Sequence, residues 1–166
     1  MNTFTRLIRH MSATAAAGRR AFPSATLRLI EQAIAEGETL HRAEVRLIVE
    51  PSLTAGEVLR RTTSRERALA LFAQYGIWDT EENSGVLVYI NLADHKVEIV
   101  TDRGIGKKVQ AEEWRALCQD MTSGFRRGVF LESTLAALAK INALLQQHFP
   151  DDGSLANQLP NRPLML

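Results

Sequence analysis

The stretch at residues 78–106, WDTEENSGVLVYINLADHKVEIVTDRGIG, constrains the fold of this chain more than any other. It begins with an acidic, turn-forming loop and continues into a nearly unbroken apolar run over residues 85–92. A short run rich in valine, leucine, isoleucine and tyrosine reads as a strand buried on both faces. A polar reversal at 93–96 separates it from a second apolar run over 97–101, so the two pair most simply as an antiparallel hairpin. In a hairpin the start of one strand lies beside the end of the other. Asp79, Glu81, Glu82 and Asn83 are therefore expected near Asp102 and Arg103, at one rim of a sheet.

The rest of the chain supplies elements to cover that hairpin. Ser24 is a helix N-cap, Leu27, Ile30 and Ile34 form an apolar stripe, and Gly37 is a stop. Residues 43–49 alternate as a strand with one wetter face, ended by Pro51. Thr54-Ala55-Gly56-Glu57 is a capping box, opening a helix, or two helices broken near 62–64, that runs to Tyr75 with Gly76 as terminator. Strand, helix and the 85–92 strand make a βαβ unit, which predicts parallel strands and a right-handed crossover. Two helices follow. One carries Trp114, Leu117, Cys118, Met121 and Phe125, with acids in its first turn and arginines in its last; the other runs from Leu131 to His148. The expected fold is a Rossmann-like α/β/α sandwich with a small mixed sheet and two C-terminal helices. Its domain spans residues 22–150, after a leader at 1–21 and before a flexible tail at 151–166.

The leader has its own pattern. Phe4, Leu7, Ile8 and Met11 recur at helical spacing, and Arg6 and Arg9 occupy the remaining surface. Such a helix contacts an anionic membrane surface or a partner protein; otherwise the leader is loosely ordered or packs on its own domain. The net charge of +1 does not suggest nucleic acid as a partner. The lone Cys118 excludes an internal disulfide and a cysteine-rich zinc site. No stretch reaches the roughly 20 apolar residues of a membrane span. The expected location is cytoplasmic, with peripheral attachment at the inner membrane. Gly104-Ile105-Gly106 has neither the third glycine of a dinucleotide loop nor the pattern of a Walker A loop, so no nucleotide cofactor is expected. Asp94 and His95 read as turn residues at the opposite end of the hairpin.

The order GIWDTEENSGVLVYI, DHKVEIVTDRGI, the tryptophan helix and the closing ALLQQHFP resembles the TPM domain family, over roughly residues 22–150. The likeness is to small bacterial members without signal peptide or membrane tail, which are associated with LemA-type membrane proteins. The resemblance implies divalent-cation binding at the acidic loop and, in some members, acid phosphatase activity. Where the family's second motif carries an acid, this chain has Gly106 followed by Lys107. Calcium and magnesium want several oxygen ligands, and Asp79, Glu81, Glu82, Asn83 and Asp102 are the residues expected to supply them, at a weak site. The leading expectation is a non-enzymatic interaction module supporting assembly or quality control of a membrane protein. The alternative is a cation-dependent phosphatase with Arg103 or Lys107 holding phosphate.

Overall fold

The computed structural model describes residues 2–154 and 156–166; Met1 of the leader and Leu155 of the tail lie outside them. Twelve elements follow in chain order among the described residues. The first six are α1 (Thr3–Ser12), α2 (Ala15–Ala21), α3 (Ser24–Glu38), β1 (Glu44–Glu50), α4 (Ala55–Leu59) and α5 (Ser64–Gln74). Then come β2 (Gly85–Asn91), β3 (Lys96–Thr101), α6 (Arg103–Gly106), α7 (Ala111–Arg126), α8 (Phe130–His148) and β4 (Leu164–Met165). The sheet order is β3-β2-β1-β4. β1 and β2 are parallel, in register from Glu44 opposite Gly85 to Glu50 opposite Asn91, and β2 and β3 form the expected antiparallel hairpin.

Each face of the sheet buries one alternation of side chains. Val45, Leu47, Val49, Val86, Val88 and Ile90 pack with Ile30, Ile34, Trp114, Met121, Ile141 and Leu145 of the α3, α7 and α8 layer. Ile48, Leu87, Tyr89 and Val100 pack with Ala68, Leu71 and Phe72 of α5 on the other face. β2 is buried at every position, as its unbroken apolar run requires. The α4–α5 break is a second capping box, Thr63 with Glu66, repeating that of Thr54 with Glu57. Gly76 ends the following turn at φ 62°, a left-handed conformation that glycine adopts without a Cβ penalty. β3 is an edge strand, and Arg65 of α5 caps it by donating from Nη1 to the Ile99 carbonyl at 2.6 Å.

The tail departs from the sequence expectation. Gln158 N and Leu159 N donate to the Glu44 carboxylate at 2.9 and 3.0 Å, and Arg46 Nη1 donates to the carbonyls of Pro160 and Arg162. Leu164 and Met165 then pair parallel to Ile48 and Val49. The described tail residues from 157 onward are thus seated along the open edge of β1, held by side chains on that strand. The leader likewise folds into two helices, and α1 lies against α4.

Candidate functional site

The two polar turns meet at one rim of the sheet, as the hairpin predicts. Asp102 is the N-cap of α6, and its Oδ1 accepts from Arg103 N at 2.6 Å. Gly104 N donates to the Asn83 carbonyl at 3.0 Å, and Arg103 Nε donates to Asn83 Oδ1 at 2.9 Å. The approach is so close that a Cβ on Gly104 would lie 2.5 Å from the Asn83 carbonyl oxygen and 2.7 Å from that of Glu82. Asn83 itself sits at φ 53°, which asparagine tolerates better than most residues. The loop before it is tied by Ser84 N donating to Thr80 Oγ1 at 2.8 Å.

Of the five residues expected to ligate a cation, Asn83 and Asp102 are drawn together, bridged by Arg103. Glu82 turns instead to Arg42, 2.9 Å away, which also reaches Asp152 at 3.1 Å. Asp79 and Glu81 stay exposed, and Glu81 contributes its backbone N–H to Gln158 Oε1 at 3.0 Å. Among the described residues, no group of three or more His, Cys, Asp or Glu side chains is placed to hold a metal ion. The oxygen in this rim that is both buried and unpartnered is Asp102 Oδ2. A hard cation here would rely on Asp102, on the turn's carbonyls and on acids swinging in from solvent. Arg103 is engaged with Asn83, and Lys107 is exposed at the C-cap of α6. Lys108 Nζ donates to the His148 carbonyl at 3.1 Å and lies 4.4 Å from the Phe149 ring centroid.

The opposite rim holds a charge cluster that the sequence does not announce. Arg6 grips the Asp94 carboxylate through Nε at 3.1 and 3.2 Å and Nη2 at 2.5 Å. Arg9 Nη2 donates to Asp94 Oδ1 at 2.9 Å, and His10 Nε2 lies 3.0 Å from the same oxygen. His10 Nδ1 accepts from Leu53 N at 2.9 Å, which places the ring proton on Nε2, facing Asp94. Burial alone would raise the Asp94 pKa, but the bonds from Arg6 and His10 outweigh it and hold the carboxyl at about 2. The amphipathic helix is therefore docked with its basic face inward. Of the six residues expected to meet a membrane or partner, Arg6 and Arg9 are turned to Asp94 and Leu7 is half-buried. Phe4, Ile8 and Met11 are exposed, at 67%, 53% and 72%.

A second network lies under α5. Arg67 chelates the buried Glu50 carboxylate through Nε and Nη2 at 2.7–3.2 Å, and the Tyr89 hydroxyl donates to Glu50 Oε2 at 2.5 Å. Desolvation, with the Glu50 charge beside it, drives the Tyr89 pKa upward and keeps the phenol protonated. The trace of it in the sequence is that Glu50 directly follows the 43–49 alternation and Asn91 interrupts the 85–92 apolar run near its end. Cys118 is half-buried, and desolvation pushes its thiol up to about 11, the setting of an unreactive cysteine.

Fold and site together define an α/β/α sandwich domain whose hairpin brings an acidic turn and a glycine turn to one rim. The TPM domain model matches residues 19–144, more than half of the chain, and the protein belongs to that family. Among solved structures it is similar to the BA42 protein from the psychrophilic bacterium Bizionia argentinensis. The two share 22% identity at a TM-score of 0.76, over 87% of this chain and 94% of that one. It is also similar to the N-terminal domain of a protein from P. gingivalis, at 16% identity and a TM-score of 0.61, over 76% and 77% of the two chains. These likenesses establish the fold. No curated protein matches the chain. No described helix is long and apolar enough to cross a membrane.

Proposed function

We propose that the protein is a non-enzymatic TPM-type interaction module that supports assembly or quality control of a membrane protein from the inner membrane face. The observation that carries this reading is the orientation of α1. Its arginines are held by Asp94, so the face left to solvent is the apolar stripe of Phe4, Ile8 and Met11. A contiguous apolar stripe on a helix that is itself clamped to the body suits contact with another surface. Contact through this face is hydrophobic first; the exposed Arg19 and Arg20 of α2 supply attraction to anionic lipid. The partner we favour is a membrane protein of the LemA type.

Sedimentation with anionic vesicles tests the membrane part. The wild-type protein is expected to partition, and the triple variant Phe4→Asp, Ile8→Asp, Met11→Asp to remain in the supernatant. Equal partitioning of the two removes the membrane contact from the proposal. The acidic rim is proposed as a weak calcium or magnesium site with Kd on the order of 1 mM, because Arg42 and Arg103 compete for its oxygens. Calcium titration followed by amide shifts is expected to move residues 79–85 and 102–104 and little else. Magnesium-dependent turnover of a generic phosphate ester, lost in Asp79→Ala, would replace this reading with a cation-dependent phosphatase.

A further inference from the structure

We infer that a cavity at the carboxyl ends of β1 and β2 is a binding site for a medium-chain carboxylate, an anion on an apolar chain of roughly eight carbons. In α/β sheets, ligands characteristically bind outside the carboxyl ends of the parallel strands. The cavity lies at that end, opposite the acidic rim: Pro51 follows β1, and Leu92 and Ala93 follow β2. Its far wall is α2 with Phe125 and Phe130, whose rings stack at 5.1 Å between centroids. Its mouth carries Arg9, Ser12 and His95.

Size and charge select the occupant. The cavity holds about 250 Å³. An apolar cavity of about 150 Å³ accommodates benzene, with its six heavy atoms. Scaling by volume leaves space for about ten heavy atoms, which is an eight-carbon carboxylate. No acidic side chain lines the cavity. Arg9, which lines the cavity, and Arg6, which does not, share the single Asp94 carboxylate, so one positive charge is left over beside it. Arg9 supplies it. Its Nη2 holds Asp94, its Nε is buried without a hydrogen-bond partner, and its side chain as a whole is one-third exposed. A carboxylate at the mouth would neutralise that charge while its chain covers Ala17, Leu92 and Phe130. A neutral chain of equal length would gain only the second contribution.

The test is an amide-shift titration of the full-length protein with sodium octanoate, octanamide and sodium butyrate. Octanoate is expected to shift residues 13–21 and 92–95 saturably, with octanamide and butyrate each at least tenfold weaker. Arg9→Gln should weaken octanoate about tenfold and leave octanamide unchanged. Ala17→Leu, which adds bulk to the cavity lining and leaves the Asp94 cluster alone, should weaken the shifts with all three. Shifts scattered elsewhere, octanamide equal to octanoate, or undiminished octanoate binding in Ala17→Leu would overturn the assignment. Vesicle partitioning of the ligand-free protein reads the outer face of α1, and the cavity titrations contain no vesicles, so either reading can fail without the other.

Discussion

Asp94→Asn isolates the contribution of the cluster that fixes α1 to the body. The Asp94 side chain is 8% exposed and Arg6 15%, so solvent screens their interaction little. The fall of the Asp94 pKa from 3.8 to about 2 corresponds to about 2 kcal/mol of stability at neutral pH. Because the folded-state value is the lower one, this stability is fully present above the unfolded pKa and is lost as pH falls through 2. The variant keeps the shape and one acceptor oxygen but leaves two guanidiniums without a counter-charge. Guanidinium chloride unfolding at pH 7 should show a deficit of about 2 kcal/mol, most of it gone by pH 2.5. Native-state hydrogen exchange at neutral pH separates local release of α1 from global unfolding: the α1 amides should lose protection before those of β2. A variant as stable as wild type at pH 7, or a deficit as large at pH 2.5 as at pH 7, would refute the reasoning.

The opposite sign is expected at Glu38. Its pKa is raised from 4.5 to about 8, chiefly by burial, against the bond from Val45 N that lowers it. The ionised form therefore destabilises the fold increasingly between pH 4.5 and 8. Urea unfolding of Glu38→Gln should show a gain of roughly 1–3 kcal/mol at pH 9 and almost none at pH 5. Arg67→Met strands the buried Glu50 carboxylate and should cost about 3–5 kcal/mol in thermal or urea melts; adding Glu50→Leu should recover most of it. Gly104→Ala drives a methyl against the carbonyls of Asn83 and Glu82 and should cost about 1–3 kcal/mol, with amide shifts concentrated at residues 80–85.

Much of the architecture was legible because local chemistry and tertiary demand agree. The run at β2 is apolar at nearly every position and is buried at every one, and Thr54 with Glu57 caps α4 as its spacing requires. The meeting of Asn83 with Asp102 followed from hairpin geometry alone. What escaped were contacts whose partners lie far along the chain. The tail contains glycine, asparagine and proline, and composition reads it as mobile. Its anchors are the Glu44 carboxylate and Arg46 guanidinium on β1, more than 100 positions away. The leader shows two faces on a helical wheel, and the pattern does not say which is buried. Asp94 and the Thr62 carbonyl decide it by accepting from Arg6, and the basic face turns inward. His10, isolated in sequence, becomes a buried bridge between Leu53 and Asp94.

These placements also link the two proposed contacts. Arg9 belongs to both: one of its nitrogens holds Asp94, and the side chain forms part of the cavity mouth. An anion drawn to Arg9 competes with Asp94 for the same charge and weakens one of the bonds that keep α1 docked. By linkage, if filling the cavity changes the affinity of the outer stripe for a surface, that surface changes the affinity of the cavity by the same factor. Arg6, with its two-nitrogen grip on the carboxylate and its bond to Thr62, keeps the helix attached while Arg9 is shared. The coupling therefore acts through the position of one arginine and does not require release of the helix. A protein with this arrangement would engage a partner differently with its cavity filled than with it empty.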